Sequence, residues 1–207
     1  MKKNLLISIK LSLVLILICS VAYPLLVAAA GLLAPGKGNG VTVEANGRVV
    51  GYEQIGQRFS KDYYFWGRPS AAGYNAAASA GSNKGPSNPA YLQEAEARID
   101  SFLAHNPGIQ RSEIPSDLVT ASASGLDPDI SPESALIQVK RVAAARKMNA
   151  DTLYHWVEGQ VKKGWMGLAP DRINVLELNC ALDKLTTTRA GQQALQQSRL
   201  APDRRPS

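Results

Sequence analysis

Few residue patterns in this 207-residue chain could carry catalysis, and each of them is incomplete. Ser122 and Ser124, in the run Ala-Ser-Ala-Ser-Gly at 121–125, are hydroxyl residues of the kind that serve as nucleophiles. A nucleophile elbow needs glycine two residues before the serine, together with His and Asp partners, and that pattern is not met. The sequence also has no glycine-rich phosphate loop that ends in Lys-Ser or Lys-Thr. We therefore interpret the serines as a turn of small residues and predict no catalytic residue.

Residues that commonly bind metals are too few and too scattered for a metal site. The two histidines, His105 and His155, lie far apart in the sequence and have no ligand spacing around them. Cys19 lies in an apolar run, which leaves Cys180 without a partner for a disulfide or for a cysteine-based zinc cluster. We predict no metal site, no disulfide and no cofactor bound to this chain itself.

The charge distribution argues against nucleic acid as a partner, although the formal net charge is +6. The excess lysines and arginines lie near the two ends of the chain, whereas residues 34–185 contain sixteen Lys or Arg and sixteen Asp or Glu. A neutral body has no general electrostatic attraction for a phosphate backbone. We therefore predict that the chain does not bind nucleic acid.

The first structural element of the chain is an apolar run near the N-terminus. Residues 11–33 contain no charged side chain, and a helix rising about 1.5 Å per residue over that length spans the roughly 30 Å hydrocarbon core of a bilayer. A cleaved signal peptide is the alternative, because the alanines at 28–30 offer a cleavage site, but the run exceeds the roughly 7–15 apolar residues of a signal. We predict a retained transmembrane helix that Pro24 kinks.

Flanking lysines predict which way this helix points. Three lysines precede the run within ten residues, whereas Lys37 and Arg48 are the cations that follow it most closely. Cytoplasmic flanks carry the excess of Lys and Arg. We therefore predict a single-pass membrane protein with a cytoplasmic tail at 1–10, a membrane helix at 11–33, an extracytoplasmic domain at 34–185 and a solvated tail at 186–207. In a bacterium with two membranes, the helix would lie in the inner membrane and the domain in the periplasm.

The outer part of the chain is predicted to be a single α+β domain that contains more helix than strand. Asn46-Gly47, between the apolar stretches at 41–43 and 49–50, is typical of a hairpin with a primed turn. The region 62–88 begins with aromatic residues and continues with small ones, which indicates a packed functional loop. We expect a further strand that enters a turn at 114–124.

Helix starts are marked by polar residues that can cap the first turn. Asn88 and Ser131 are each followed by proline, and Asn174 precedes Glu177 in a capping-box pattern. Apolar residues recur at helical spacing after each start and again between Leu153 and Val161, where we expect the helix to end at Gly164. After Leu185 we expect a disordered, solvated tail.

One long block resembles the C subunit of the bacterial potassium-transporting Kdp ATPase (KdpC). It is the run SDLVTASASGLDPDISP at 116–132, which continues in the pattern of residues 135–146. Further blocks at 55–59, 64–86 and 174–183 agree with the same family, as does an apolar N-terminal span that precedes a soluble body. The similarity covers residues 1–185.

The resemblance implies an accessory subunit with two partners: a channel-like subunit that binds potassium, and a P-type ATPase subunit that is phosphorylated as it hydrolyses ATP. The family is described as a catalytic chaperone that raises the ATP affinity of the hydrolysing subunit. ATP and potassium thus belong to the complex. Because the predicted topology places 34–207 across the membrane from ATP, we expect this effect to be indirect.

Candidate site residues follow from these expectations. Tyr64, Phe65 and Arg68 are candidates for the partner interface, because aromatic residues and arginine dominate binding hot spots, although they could instead pack their own loop. In the alternative of direct nucleotide binding, Ser122, Ser124 and Gln138 would contact the nucleotide. A third alternative is a secreted hydrolase with a cleaved signal.

Overall fold

A computed structural model describes residues 2–165 and 168–200 of the chain, without the side chains of 189–200. The chain divides after Thr42 into two compact units, which are described separately.

The first unit is dominated by one apolar helix, α1 (Lys2–Gly31), whose most apolar window has a mean hydropathy of 2.6. None of its side chains is buried within the protein. By its length and composition the helix is suited to cross a membrane. The helix is α-helical over Lys2–Ile16 and Tyr23–Gly31 but π-helical over Leu17–Ala22. Pro24 lies two residues after this π-helical turn, and proline cannot donate the backbone hydrogen bond of a regular helix. The kink expected at Pro24 stays a prediction.

The second unit begins with the predicted hairpin, formed by β1 (Thr42–Ala45) and β2 (Arg48–Tyr52). Asn46 and Gly47 both have positive φ angles, of 52° and 73°. Positive φ at both central residues is the requirement of a type I′ turn, which matches the twist of two antiparallel strands. The hairpin prediction is confirmed.

Helices are the main regular elements of the second unit and start at the expected caps. The side chains of Asn88, Ser131 and Asn174 each accept hydrogen bonds from backbone N–H groups in the first turn that follows them. Asn149, which the sequence analysis did not single out, does the same. The helices are α2 (Pro89–His105), α3 (Pro132–Leu136), α4 (Val139–Arg146), α5 (Ala150–Glu158) and α6 (Val175–Leu200).

The strand expected at 114–124 is wrong. This stretch forms a 3-10 turn at Ser116–Leu118, after another at Arg111–Glu113. The carbonyl of Ser116 accepts hydrogen bonds from the backbone N–H and the hydroxyl of Thr120, which closes a turn where a strand would need extended backbone.

Two helix ends also differ from expectation. Helix α5 ends at Glu158 rather than Gly164, because Lys162 forms an antiparallel bridge with Arg172. Helix α6 continues past Leu185, where we expected the tail to begin, as far as Leu200. Thr187 and Thr188 on this extension are exposed, as in a solvated segment, and residues 201–207 of the expected tail lie outside the described residues.

A two-residue sheet fixes the start of α6 against the rest of the domain. Strand β3 (Asp129–Ile130) pairs antiparallel with β4 (Ile173–Asn174), so that Ile130 faces Ile173 across the ladder. Both isoleucines belong to the main apolar core, which α3 to α6 surround, and a smaller cluster forms around Phe102. The fold is thus α+β and rich in helix, as expected.

Candidate functional site

The predicted interface residues lie on a segment without regular secondary structure, residues 61–68, which we call the aromatic strap. Phe65 is fully buried in the main core, whereas the next residue, Trp66, packs against the smaller cluster. Tyr63, by contrast, is 43% exposed. The strap therefore connects the two apolar clusters and also contributes to the surface.

Two buried amide side chains hold the backbone of the strap. Asn179 accepts a hydrogen bond of 2.9 Å from the N–H of Phe65 and donates one of 3.0 Å to the carbonyl of Phe65. Gln138 accepts from the N–H of Trp66 at 2.8 Å and donates to its carbonyl at 3.1 Å and to the carbonyl of Ser134 at 2.9 Å. A side-chain amide carries the same donor and acceptor as a peptide group. Asn179 and Gln138 therefore satisfy the N–H and carbonyl groups of Phe65 and Trp66, as a neighbouring strand would.

Arg141, three residues after Gln138, lies beneath the same segment. Its Nη1 donates to the carbonyls of Asp62 at 2.7 Å and Tyr64 at 3.0 Å, and its guanidinium carbon lies 4.2 Å from the ring centroid of Trp66. Burial lowers the pKa of Arg141 to about 10, against the opposing effect of the Asp62 carboxylate. The guanidinium is therefore still charged at neutral pH, and strap carbonyls solvate it in place of water.

A second arginine, Arg146 at the end of α4, connects the strap to α6. Its Nε donates to the carbonyl of Tyr63 and its Nη2 to Asp183, each at 2.6 Å. The hydroxyl of Tyr64 donates to the other oxygen of Asp183 at 2.8 Å. Burial raises the pKa of Tyr64 to about 12, and the hydrogen bond to Asp183 and its negative charge add to this effect. Tyr64 is therefore a protonated donor over the physiological range.

Arg68, at the end of the strap, faces the turn that contains the two candidate serines. Its Nη1 lies 3.0 Å from a carboxylate oxygen of Asp127, and its Nε is buried without a hydrogen-bond partner in the part of the chain that the structure describes. Just beyond it, the carbonyl of Pro69 accepts a hydrogen bond from the N–H of Ser122. Gly125 has a φ of +68°, and a Cβ there would approach the Ala80 carbonyl to 2.7 Å, so this close packing requires glycine.

The three candidate nucleotide contacts lie in two different settings. Ser122 is buried and Ser124 is exposed in the same turn, whereas Gln138 is fully buried beneath Trp66. The amide of Gln138 already bonds Trp66 and Ser134, so it would have to release them to contact a nucleotide. Direct nucleotide binding by these residues stays a prediction.

The three candidate interface residues also differ in their surroundings. Phe65 exposes none of its side-chain surface and offers none to a partner. It packs the core, which agrees with the alternative that these residues pack their own loop. Tyr64 and Arg68 are partly exposed but bond to Asp183 and Asp127. Their role in partner binding stays a prediction.

Sequence reasoning missed the residues that hold the strap, although a signal for them exists. Gln138 lies in the apolar stripe between Ala135 and Val142, and Asn179 lies between Leu178 and Leu182, all of which are buried. A buried polar side chain needs a hydrogen-bond partner inside the domain. That pattern indicates an internal clamp, but not which segment it holds.

A helix of membrane-spanning length and composition, followed by a small α+β domain, is the arrangement expected of a membrane-associated protein. The family model described as K+-transporting ATPase, c chain (KdpC) matches residues 5–184, and the chain belongs to this family.

Several similar proteins align with this chain over nearly the whole of the region that the family model matches. One from Flavobacterium johnsoniae is 51% identical over 183 residues, which cover 88% of this chain and 99% of that protein. One from Bacteroides fragilis is 52% identical over 187 residues, covering 88% and 98% respectively. A more distant one, from Caldanaerobacter subterraneus, is 42% identical over 177 residues, covering 84% and 92%. All three are named potassium-transporting ATPase KdpC subunit.

The hydrogen bonds of Asn179 and Gln138 to the backbone of Phe65 and Trp66, which we call the clamp, predict a specific loss of stability when one of them is removed. Replacing Asn179 with leucine leaves the N–H and carbonyl of Phe65 buried without partners, which costs about 1–3 kcal/mol for each group. We expect Asn179→Leu to lower the free energy of unfolding by about 2 kcal/mol or more, measured by denaturant titration of the full chain in detergent. The matched control is Gln160→Leu, an exposed amide whose replacement should change it by less than about 0.5 kcal/mol. Equal effects of the two variants would contradict the clamp.

Proposed function

We propose that this chain is the non-catalytic accessory subunit of a Kdp-type potassium-transporting ATPase and is required for assembly or turnover of the complex. Membership of the KdpC family carries this proposal, because the match covers both the membrane helix and the soluble domain. The partners are the ATP-hydrolysing subunit and the channel-like subunit that binds potassium. ATP and potassium act at the level of that complex.

The proposed orientation places the soluble domain in the periplasm. Lys2, Lys3 and Lys10 precede the apolar core of α1, whereas Lys37 and Arg48 follow it at a greater distance. An excess of cations next to a membrane helix favours the cytoplasmic side. The N-terminus is then cytoplasmic, and the domain from Val43 onward lies on the face opposite to ATP.

From that side the domain raises the ATP affinity of the hydrolysing subunit indirectly. A domain that binds two partners more tightly in one conformation shifts their equilibrium toward it. A tenfold rise in ATP affinity requires about 1.4 kcal/mol of such coupling, which lies within the usual range for linked sites. The rigidly held strap supports this role, because a domain that transmits a preference between partners has to keep its own shape.

The alternative is a module that binds nucleotide directly, with Ser122, Ser124 and Gln138 as contacts. It requires the domain to be cytoplasmic and Gln138 to leave the strap. The first requirement opposes the excess of lysines before the apolar core of α1, and the second opposes the hydrogen bonds of Gln138 to Trp66. The accessory role on the periplasmic side is therefore preferred.

Removal of the soluble domain tests the accessory role. A variant that ends after Thr42 keeps α1 and its linker but lacks the second unit. We expect potassium-dependent ATP hydrolysis by the purified complex to fall at least about tenfold, because the partners lose the contacts that stabilise the active conformation. Full activity with the truncated chain would contradict an essential role of the domain.

Cysteine labelling in spheroplasts tests the orientation and separates the two mechanisms. In a Cys19→Ala, Cys180→Ala background, Ser87→Cys places an exposed thiol in the soluble domain and Asn4→Cys one before the membrane core. We expect a membrane-impermeant maleimide to label Ser87→Cys in intact spheroplasts and Asn4→Cys only after permeabilisation. The reverse pattern would place the domain in the cytoplasm, where direct nucleotide binding becomes possible.

A further inference from the structure

An open cleft of about 530 Å³ lies between α2 and the residues on either side of the strap. Its apolar floor contains Trp66, Phe102 and Leu118. Its ionisable walls include Arg58, Arg98 and His105. No aspartate or glutamate is among the described residues that line it, although Nδ1 of His105 lies 2.7 Å from the carboxylate of Asp62 just outside, so the two arginines carry its positive charge. We call it the cationic cleft.

The two arginines have hydrogen-bonding capacity left for an anion. Arg98 is held in place by a hydrogen bond of 3.1 Å from its Nη1 to the carbonyl of Val119 and by a longer contact of 3.4 Å with Glu94. Arg58 is exposed, and its side chain makes no hydrogen bond or ion pair with the residues that the structure describes. A guanidinium has five N–H donors, so both residues can bind a carboxylate.

We infer that the cationic cleft is a docking site for a segment of a partner subunit that carries a carboxylate next to an apolar side chain. This inference rests on the proposed function, because it requires partner subunits. The cationic walls select the carboxylate, and the floor of Trp66, Phe102 and Leu118 accepts the apolar group. A small free anion fits less well, because small-molecule sites enclose most of their ligand whereas this cleft is open to solvent along one side.

The position of the cleft beside the strap strengthens this assignment. Trp66 forms part of the floor and is fixed by Gln138 through its backbone and by the Arg141 guanidinium, 4.2 Å from its ring centroid. Rigid aromatic residues next to arginines are the usual composition of binding hot spots, because little side-chain entropy is lost when a partner binds. The buried clamp thus fixes the position of Trp66, which forms part of the surface of the cleft.

Site-directed photo-cross-linking in the assembled complex tests the docking site. In the background without native cysteines, Ser101→Cys places a benzophenone maleimide in the cleft, and Thr187→Cys places one on the exposed extension of α6. We expect Ser101→Cys to cross-link to a partner segment that contains aspartate or glutamate beside an apolar residue, and Thr187→Cys not to reach that segment. Adding Arg58→Glu should reduce the yield about tenfold by charge repulsion, whereas the matched reversal Arg48→Glu, outside the cleft, should leave it within about twofold.

The other outcomes overturn the inference in distinguishable ways. A cross-link to lipid, to a second copy of this chain or to a segment without a carboxylate excludes the proposed occupant. An absent cross-link in a complex that still assembles, or a yield unaffected by Arg58→Glu, excludes the docking site but leaves the accessory role intact. If the partner subunits do not copurify with the unsubstituted chain, the proposed function fails, and the docking site fails with it.

Discussion

The pairing of two side-chain amides with the backbone of Phe65 and Trp66 is the constraint on which the domain depends. No strand pairs with the strap at this point in the part of the chain that the structure describes, yet the N–H and carbonyl groups of both residues are satisfied by Asn179 and Gln138. Without these partners the burial of Phe65 would carry unpaired backbone groups into the core, at a cost comparable to the gain from burying its ring. The apolar core and the polar clamp therefore require each other.

This clamp also organises the surface. By fixing Trp66 it sets the floor of the cationic cleft, and by fixing Phe65 it holds the residue next to Tyr64, whose hydroxyl donates to Asp183. Arg141 and Arg146 stabilise the strap from below through hydrogen bonds to its carbonyls.

Sequence reasoning found the features that depend on neighbouring residues. The Asn46-Gly47 turn, the caps at Asn88 and Ser131 and the apolar helix are each encoded within a few positions, so their physics is readable without the fold. The clamp joins residues 72 and 114 positions apart, and no local pattern specifies which buried amide meets which backbone group. The strand expected at 114–124 is wrong for a different, local reason, since Ser116 and Thr120 close a turn that hydrophobicity alone does not reveal.

Amide hydrogen exchange of the full chain in detergent tests the central claim most directly. If the clamp is intrinsic to the folded domain, the N–H groups of Phe65 and Trp66 should exchange only through global unfolding, at the slow rate of the Leu182 amide in the core of α6. Exchange of the two strap amides many times faster than that of Leu182 would show that the strap opens independently and would contradict the claim.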